Sequence, residues 1–242
     1  MKEEMTIDVL AFGPHPDDVE MCCGGTIAKT VKMGYTAGII DLTGGELGTR
    51  GNRETRLQEA AEAEKLLGIN VRENLDLGDG RITNNESARS TVIKKIRMYR
   101  PTLVLAPYWM DDHPDHIQCS LIVKDSAYLA GLVNYNPDQP PHKPKGILYY
   151  MCRHSFHPTL IINITDEFEQ KISAIKAYSS QISYQYSAET EIRFNENDFL
   201  KYFEARARFF GMMINCKFGE PFFSVYPPQV LDPIAMLGGG KW

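Results

Sequence analysis

No apolar run in the chain approaches the ~20 residues that a membrane-spanning helix requires. The opening residues, Met1 to Thr6, are polar and acidic and lead straight into a strand-like run, without the apolar core of a secretory signal. These two absences predict a cytoplasmic protein with no membrane partner. Cysteine is scarce and odd in number: five thiols, at 22, 23, 119, 152 and 216, with no Cys-x-x-Cys spacing. That argues against a disulfide framework and against a thiolate zinc site, and predicts buried, reduced thiols. An excess of basic charge is also missing. With 26 Lys and Arg against 31 Asp and Glu, and a net charge of −5, the composition argues against a nucleic-acid partner. A Gly-x-Gly-x-x-Gly turn is absent after the first strand, where Asp17 and Asp18 would repel a pyrophosphate. A non-catalytic dinucleotide- or sugar-nucleotide-binding α/β module is therefore the weaker reading.

The 242 residues have room for one α/β domain, 1–242, with a core over 1–130 and a C-terminal elaboration over 131–242. Short apolar runs alternate with helical patterns through the first half. Strands are predicted over Ile7 to Phe12, Thr36 to Leu42, Val71 to Leu77 and Thr102 to Ala106. Between them, helices are predicted over Gly24 to Met33, Arg53 to Leu67 and Ser87 to Tyr99. The second of these reads as amphipathic, alanines and leucines on one side and charges on the other, with Gly68 as its cap. This series predicts a Rossmann-like three-layer sandwich around a mostly parallel sheet. Beyond it the pattern is less regular: a Pro-rich loop over Asn136 to Lys145, strands over Ile147 to Met151 and Thr159 to Ile164, and helices over Glu167 to Tyr178 and Asn197 to Met213.

Two turns of matching composition carry the chemistry. Gly13-Pro14-His15-Pro16-Asp17-Asp18 follows the first strand, and Asp111-Asp112-His113-Pro114-Asp115-His116 follows the fourth. Proline is favoured at the first helical position, so Pro16 and Pro114 are both expected to begin helices. Asp17 and Asp115 would then stand second, and Asp18 and His116 third, at the positive end of the helix dipole. In a sheet of order 3-2-1-4 the first and fourth strands are neighbours, and the crevice at their C-terminal ends is where ligands bind. His15, Asp18 and His116 would there form a set of two imidazoles and one carboxylate with an open position for water, the pattern of a catalytic zinc. Asp17 is placed as general base beside that water. His113 faces the substrate carbonyl, to polarise its oxygen or protonate the departing amine, with Asp115 holding the His113 ring.

At these residues the sequence resembles the LmbE-like (PIG-L) family of zinc-dependent N-acetylglucosamine deacetylases. His15-Pro16-Asp17-Asp18-Val19-Glu20 with Gly24-Gly25-Thr26 looks like the family's first motif, and His113-Pro114-Asp115-His116 like its second. Leu42-Thr43-Gly44-Gly45-Glu46 and Arg56-Leu57-Gln58-Glu59-Ala60 are similar to its substrate-binding loop and helix, and Asp79 lies where the family holds a sugar hydroxyl. Lys217-Phe218-Gly219-Glu220-Pro221-Phe222 looks most like the bacillithiol-pathway branch, which deacetylates N-acetylglucosaminyl-malate. The resemblance implies Zn2+ at His15, Asp18 and His116, the base Asp17, a malate-binding arginine at Arg56, and a hexamer. One departure stands out: Asp112 occupies the position where that branch often has Arg, which leaves Arg50, Arg53 or Arg81 to supply a positive charge.

Other residues divide between function and packing. Glu46 reads as a sugar contact, a support for the site, or an ordinary loop carboxylate. Tyr108-Trp109 would stack on a sugar ring or pack under the loop, and His154 and His157 would lean over the pocket or stay on the surface. Phe209 to Tyr226 reads as core or subunit interface. Within the same chemistry, the rival to deacetylation is an amidase that cleaves cysteinyl-glucosamine conjugates.

Overall fold

The computed structural model describes residues 6–135, 138–182 and 196–232. Residues 1–5, read above for a targeting signal, and 136–137 of the Pro-rich loop lie outside them. Strand and helix alternate as β1 (Val9–Gly13), α1 (Asp18–Lys32), β2 (Ala37–Asp41), α2 (Arg53–Leu67), β3 (Val71–Asn74), α3 (Glu86–Tyr99), β4 (Leu103–Pro107) and α4 (Pro114–Leu129). There follow β5 (Gly146–Tyr150), β6 (Leu160–Asn163), α5 (Phe168–Lys176), the single turn α6 (Ser179–Ile182), α7 (Glu196–Met213) and β7 (Gly219–Phe223). No helix among the described residues is long and apolar enough to cross a membrane.

One seven-stranded sheet runs β3-β2-β1-β4-β5-β7-β6. The first five strands in sequence pair in parallel, and β7 lies antiparallel between β5 and β6. The expected order 3-2-1-4 is present, and side-chain alternation along β1 shows why both faces are covered. Leu10 and Phe12 point into an apolar layer with Val92 and Ile96 of α3 and Ile122 and Val123 of α4. Val9 and Ala11 point the other way, onto Ile27 of α1, Ala63 and Leu67 of α2, and Ala174 of α5. Helices on both faces make the three layers of a Rossmann-like sandwich.

Three local expectations need correction. First, Phe209 to Tyr226 does supply core, with Phe210, Phe218 and Phe222 buried, but it also contains a strand, β7, that the sequence did not mark. A proline in a five-residue run argues against a central strand. Here β5 pairs only with Phe222 and Phe223, so Pro221 lies past the end of β5 and faces β6 alone.

Second, the helix expected from Gly24 begins at Asp18, because α1 is two helical pieces joined at Cys23, whose backbone (φ −142°, ψ 20°) is not helical. The apolar pattern restarts at Gly24 because the helix itself does. A broken helix leaves N–H groups without intrahelical acceptors. The Glu220 carboxylate, on β7, accepts those of Gly25 (3.0 Å) and Thr26 (2.7 Å) while pairing with Lys171 Nζ at 2.5 Å. Gly25 is required at this join, since a Cβ there would lie 2.7 Å from the Ile164 side chain.

Third, α2 does not segregate its charges. Its ends are as expected, with the Asn52 side chain accepting from the Thr55 N–H and Gly68 closing the helix in the left-handed conformation. Its buried face, however, carries Arg56 and Glu59 beside Ala60, Ala63 and Leu67. The chemistry below accounts for both.

Candidate functional site

β1 and β4 are parallel neighbours, so the turns that follow them meet at one edge of the sheet. The second turn is built as expected: Pro114 opens α4, and the His113 side chain caps it by accepting from the Asp115 N–H at 3.2 Å. The first is not. Pro16 does not open α1; the helix starts at Asp18, and Asp17 is its N-cap with φ 119° and ψ −31°. Such a backbone in a non-glycine residue costs on the order of 1–3 kcal/mol and persists only where the surroundings hold it.

Arg56 does the holding. Its Nη2 donates to the Pro16 carbonyl (2.5 Å) and pairs with Asp17 Oδ2 (2.9 Å), while Nη1 donates to the Gly45 carbonyl (3.1 Å). Although the amphipathic reading of this helix put its charges on the side away from the alanines and leucines, Arg56 is buried, 4% exposed. Gly45, at φ 65°, makes room for it, because a Cβ there would lie 2.0 Å from Nη1. Glu59, one turn further along α2, accepts from the Ser180 N–H and from the Ser179 and Ser180 hydroxyls, tying α6 to the same helix.

His15, Asp18 and His116 come together. His15 Nδ1 is 3.0 Å from Asp18 Oδ2, His116 Nε2 is 3.4 Å from Asp18 Oδ1, and one donor atom from each lies within 4.8 Å of the others. Two further groups meet the same spacing, His15–His113–Asp115 and Asp111–His116–Cys152. The first set is distinguished by what stands behind it. The outer nitrogen of His15, Nε2, faces Asp79 Oδ1 (3.1 Å) and Asp115 Oδ2 (3.2 Å). That of His116, Nδ1, lies 3.3 Å from Asp111 Oδ1, near it but without hydrogen-bond alignment. A carboxylate on the far nitrogen is how proteins orient an imidazole toward a metal. Two imidazoles and a carboxylate fit a zinc ion with one position open.

The expected pairing of Asp115 with the His113 ring is not present. The Asp115 carboxylate accepts from the Gly80 N–H (2.7 Å) and meets His15 instead. Helical geometry explains the difference, because the His113 ring is turned to cap its own helix and accepts the Asp115 backbone N–H. With Nδ1 an acceptor, neutral His113 carries its proton on Nε2.

Charge is concentrated here. Burial disfavours a charged His15, but hydrogen bonds to Asp115, Asp18 and Asp79 prevail and push its pKa up to about 12. Burial likewise works against ionised Asp18, yet the neighbouring His116 and His15 draw it well below the usual carboxylate range. Asp17 goes the other way, to about 7, because burial outweighs the pull of Arg56. His116 is raised, Asp18 and Asp111 overcoming its burial, whereas burial and the charges of His15 and His116 lower His113. Imidazoles drawn toward their charged form by the surrounding carboxylates are what a bound divalent cation would relieve.

The group opens on a cleft of about 620 Å³. His15, Asp17, Asp18, His113 and His116 line its inner end, and Phe199, Tyr202 and Phe203 of α7 line its outer wall. Arg56 and Asp79 also reach the cleft, Asp79 being fixed by the Leu47 N–H at 2.8 Å. Glu46 does not line it; its carboxylate accepts from the Gly44 and Asp79 N–H groups and braces the loop. Tyr108 and Trp109 pack with Tyr149, Phe156 and Phe223. His154 meets Asp112 at 3.4 Å and, like His157, stands outside the cleft lining. The five thiols are free, four of them buried. Sequence reasoning missed Asp111, whose only signal was its place two residues before His113; it placed the helix over Asn197 to Met213 that is α7, but no motif marked that helix as a wall of the cleft.

A Rossmann-like sandwich with a His/Asp metal-type site at the switch point of its sheet, flanked by a buried carboxylate and a third imidazole, defines a class of α/β hydrolytic scaffolds. The family model described as PIG-L, GlcNAc-PI de-N-acetylase, matches residues 10–127, and the chain belongs to that family. It is 30% identical over 188 residues to the diacetylchitobiose deacetylase of Thermococcus kodakarensis, covering 72% of this chain and 69% of that protein. Among solved structures, the conserved protein TT1542 from Thermus thermophilus superposes with a TM-score of 0.86 at 32% identity, over 94% of this chain and 99% of that one. The N,N'-diacetylchitobiose deacetylase from Pyrococcus horikoshii gives 0.79 at 26% identity, over 91% of this chain and 84% of that one. Family and relatives together support deacetylase activity.

Proposed function

We propose that the protein is a zinc-dependent deacetylase that removes the acetyl group of an N-acetylglucosamine conjugate, N-acetylglucosaminyl-L-malate of bacillithiol synthesis being the substrate. The observation that carries the reading is the convergence of His15 Nδ1, Asp18 and His116 Nε2 at the head of a cleft, with Asp17 and His113 to either side. Family membership, and relatives that are deacetylases of an N-acetylated disaccharide, support the sugar acetamide. The malate aglycone rests on the likeness of residues 217–222 to the bacillithiol branch.

His15, Asp18 and His116 would hold the ion, which supplies Lewis acidity toward the amide oxygen and lowers the pKa of water at its open position. Asp17 takes a proton from the attacking water, whose oxygen adds to the acetamide carbon. His113, with its proton on Nε2, donates to the oxygen on which negative charge develops. The C–N bond then breaks, the proton held by Asp17 passes to the nitrogen, and acetate and a free amine result. Arg56 acts through Asp17, keeping its carboxylate turned into the cleft, and Asp79 and Asp115 act through His15.

Acetate release from N-acetylglucosaminyl-malate, with metal content measured on the same samples, tests this. Asp17→Asn is expected to keep its metal and lose roughly 10²–10⁴-fold in kcat, the contribution typical of a general base. Near-normal turnover in metal-loaded Asp17→Asn, or full zinc stoichiometry in His116→Ala, contradicts the assignment.

A further inference from the structure

Three arginines reach the cleft among the described residues: Arg56, Arg153 and Arg206. Two are committed. Arg56 is held by Asp17, Pro16 and Gly45, and Arg206, on α7, donates to the carbonyls of Met21 (2.9 Å), Met151 (3.2 Å) and Cys152 (2.8 Å). Arg153 differs. It is exposed, and among the described residues its guanidinium has no hydrogen-bond or ion-pair partner.

Its backbone, in contrast, is fixed. The Arg153 N–H donates to Asp111 Oδ2 at 3.1 Å, and the carbonyl just before it receives Arg206. The anchored backbone fixes where the side chain starts, so that only its own rotamers remain to be ordered when the guanidinium meets a ligand. The acids near it are otherwise engaged. Asp111 faces His116 and the His113 N–H through its other oxygen, and Asp112 meets His154 without lining the cleft. The arginines that the sequence offered as substitutes do not serve. Arg53 pairs with Asp76 at 3.0 Å, and neither Arg50 nor Arg81 lines the cleft. Asp17, Asp18 and Asp79 of the lining repel an anion, so the counter-charge for an anionic aglycone falls to the arginine of the lining that no other group holds.

We propose that Arg153 is the specificity residue of this cleft and takes the anionic group, carboxylate or phosphate, of whatever is attached to the N-acetylglucosamine ring. This rests on the deacetylase reading above. A guanidinium suits either anion, since its N–H fork meets two oxygens at once. It also accounts for Asp112: the positive charge absent before the second motif is supplied from the turn after β5.

Steady-state kinetics on wild type, Arg153→Gln and Arg153→Lys with three substrates tests it: N-acetylglucosaminyl-malate, N-acetylglucosamine 1-phosphate and neutral diacetylchitobiose. In Arg153→Gln the ratio of KM for an anionic substrate to KM for the neutral one is expected to rise roughly 10–100-fold, the size of a lost charge-assisted hydrogen bond, with kcat little changed. Arg153→Lys should restore part of it. A rise for the malate conjugate alone or the phosphate alone identifies the anion; equal changes on all three, or none, overturn the proposal. Calorimetric titration with N-acetylglucosaminyl-malate reads the contact without turnover. Weaker binding to Arg153→Gln supports the site even where no acetate appears, a result that would refute only the deacetylase reading. Equal affinities refute the site itself.

Discussion

Asp17 shows how much a single residue's conformation owes to its neighbours. Its left-sided backbone and buried carboxylate depend on one guanidinium, and that guanidinium depends on the missing side chain of Gly45. Gly45→Ala is therefore expected to act at a distance. The added Cβ displaces Arg56, destabilises the fold by about 1–3 kcal/mol, and lowers kcat without loss of metal. Denaturant melts and acetate release on metal-quantified samples check this; unchanged turnover would mean that Asp17 keeps its place without Arg56. At this scale the sequence was legible where chemistry is written in residue type. His15, Asp18 and His116 meet as their spacing along two turns implied. What it hid was conformation. His-Pro-Asp reads identically in both turns, yet Pro114 opens a helix and Pro16 does not, because only the first turn has an arginine from another helix pulling on it.

Among the elements, α1 shows how a long-range contact replaces a local rule. Its two pieces are joined by Glu220 from β7, a partner 195 residues from Gly25. Removing one member of a buried ion pair typically costs ~3–5 kcal/mol, so Glu220→Gln and Lys171→Met should each lower the urea midpoint strongly. The double variant Glu220→Leu/Lys171→Met should not recover, since the Gly25 and Thr26 N–H groups stay buried without acceptors. Full recovery would show that the charge pair, and not the backbone capping, is what matters.

Glu167, at the start of α5, provides a second test. Burial alone would raise its pKa, but hydrogen bonds from Lys29 and Lys32 of α1 bring it below its ordinary 4.5. The unfolded chain therefore takes up this proton first as pH falls, and the stabilisation, complete above about pH 4.5, disappears as pH drops through the lowered value. Glu167→Gln should accordingly destabilise the protein in urea melts at pH 7, with the difference from wild type shrinking as the pH falls below about 4.5.

The elements with clean periodicity, the parallel strands and α2 and α3, were legible from sequence. β7 was not, because Pro221 is permitted only by where β5 stops. The polar face of α2 was also misread, because periodicity cannot tell a solvated arginine from one buried on a carboxylate.

For the whole molecule, the order β3-β2-β1-β4 could be read from the alternation of strand and helix, and with it the place where the site would form. The outer wall from α7 could not, since no motif marks a helix whose task is to face a ligand. The inner end gathers Asp17, Asp18, Asp79, Asp111 and Asp115 around three imidazoles, so a divalent cation should stabilise the fold as well as support catalysis. With zinc at about a hundredfold excess over its dissociation constant, the melting temperature is expected to rise by about 5–10 °C over chelator-treated protein. Calorimetry before and after reloading measures it, and no shift would argue against a metal at this group.

The join in α1 also bears on how the chain is made. Its first piece ends one residue before Cys23 and carries Asp18, while the carboxylate that secures the second piece arrives only with residue 220. A ribosome-bound fragment holding both His-Pro-Asp turns still lacks the strand that sets the helix beneath them. Ion capture should thus begin only once the last strand has been translated, and truncation ahead of Glu220 should yield chains that bind metal poorly despite containing every ligand.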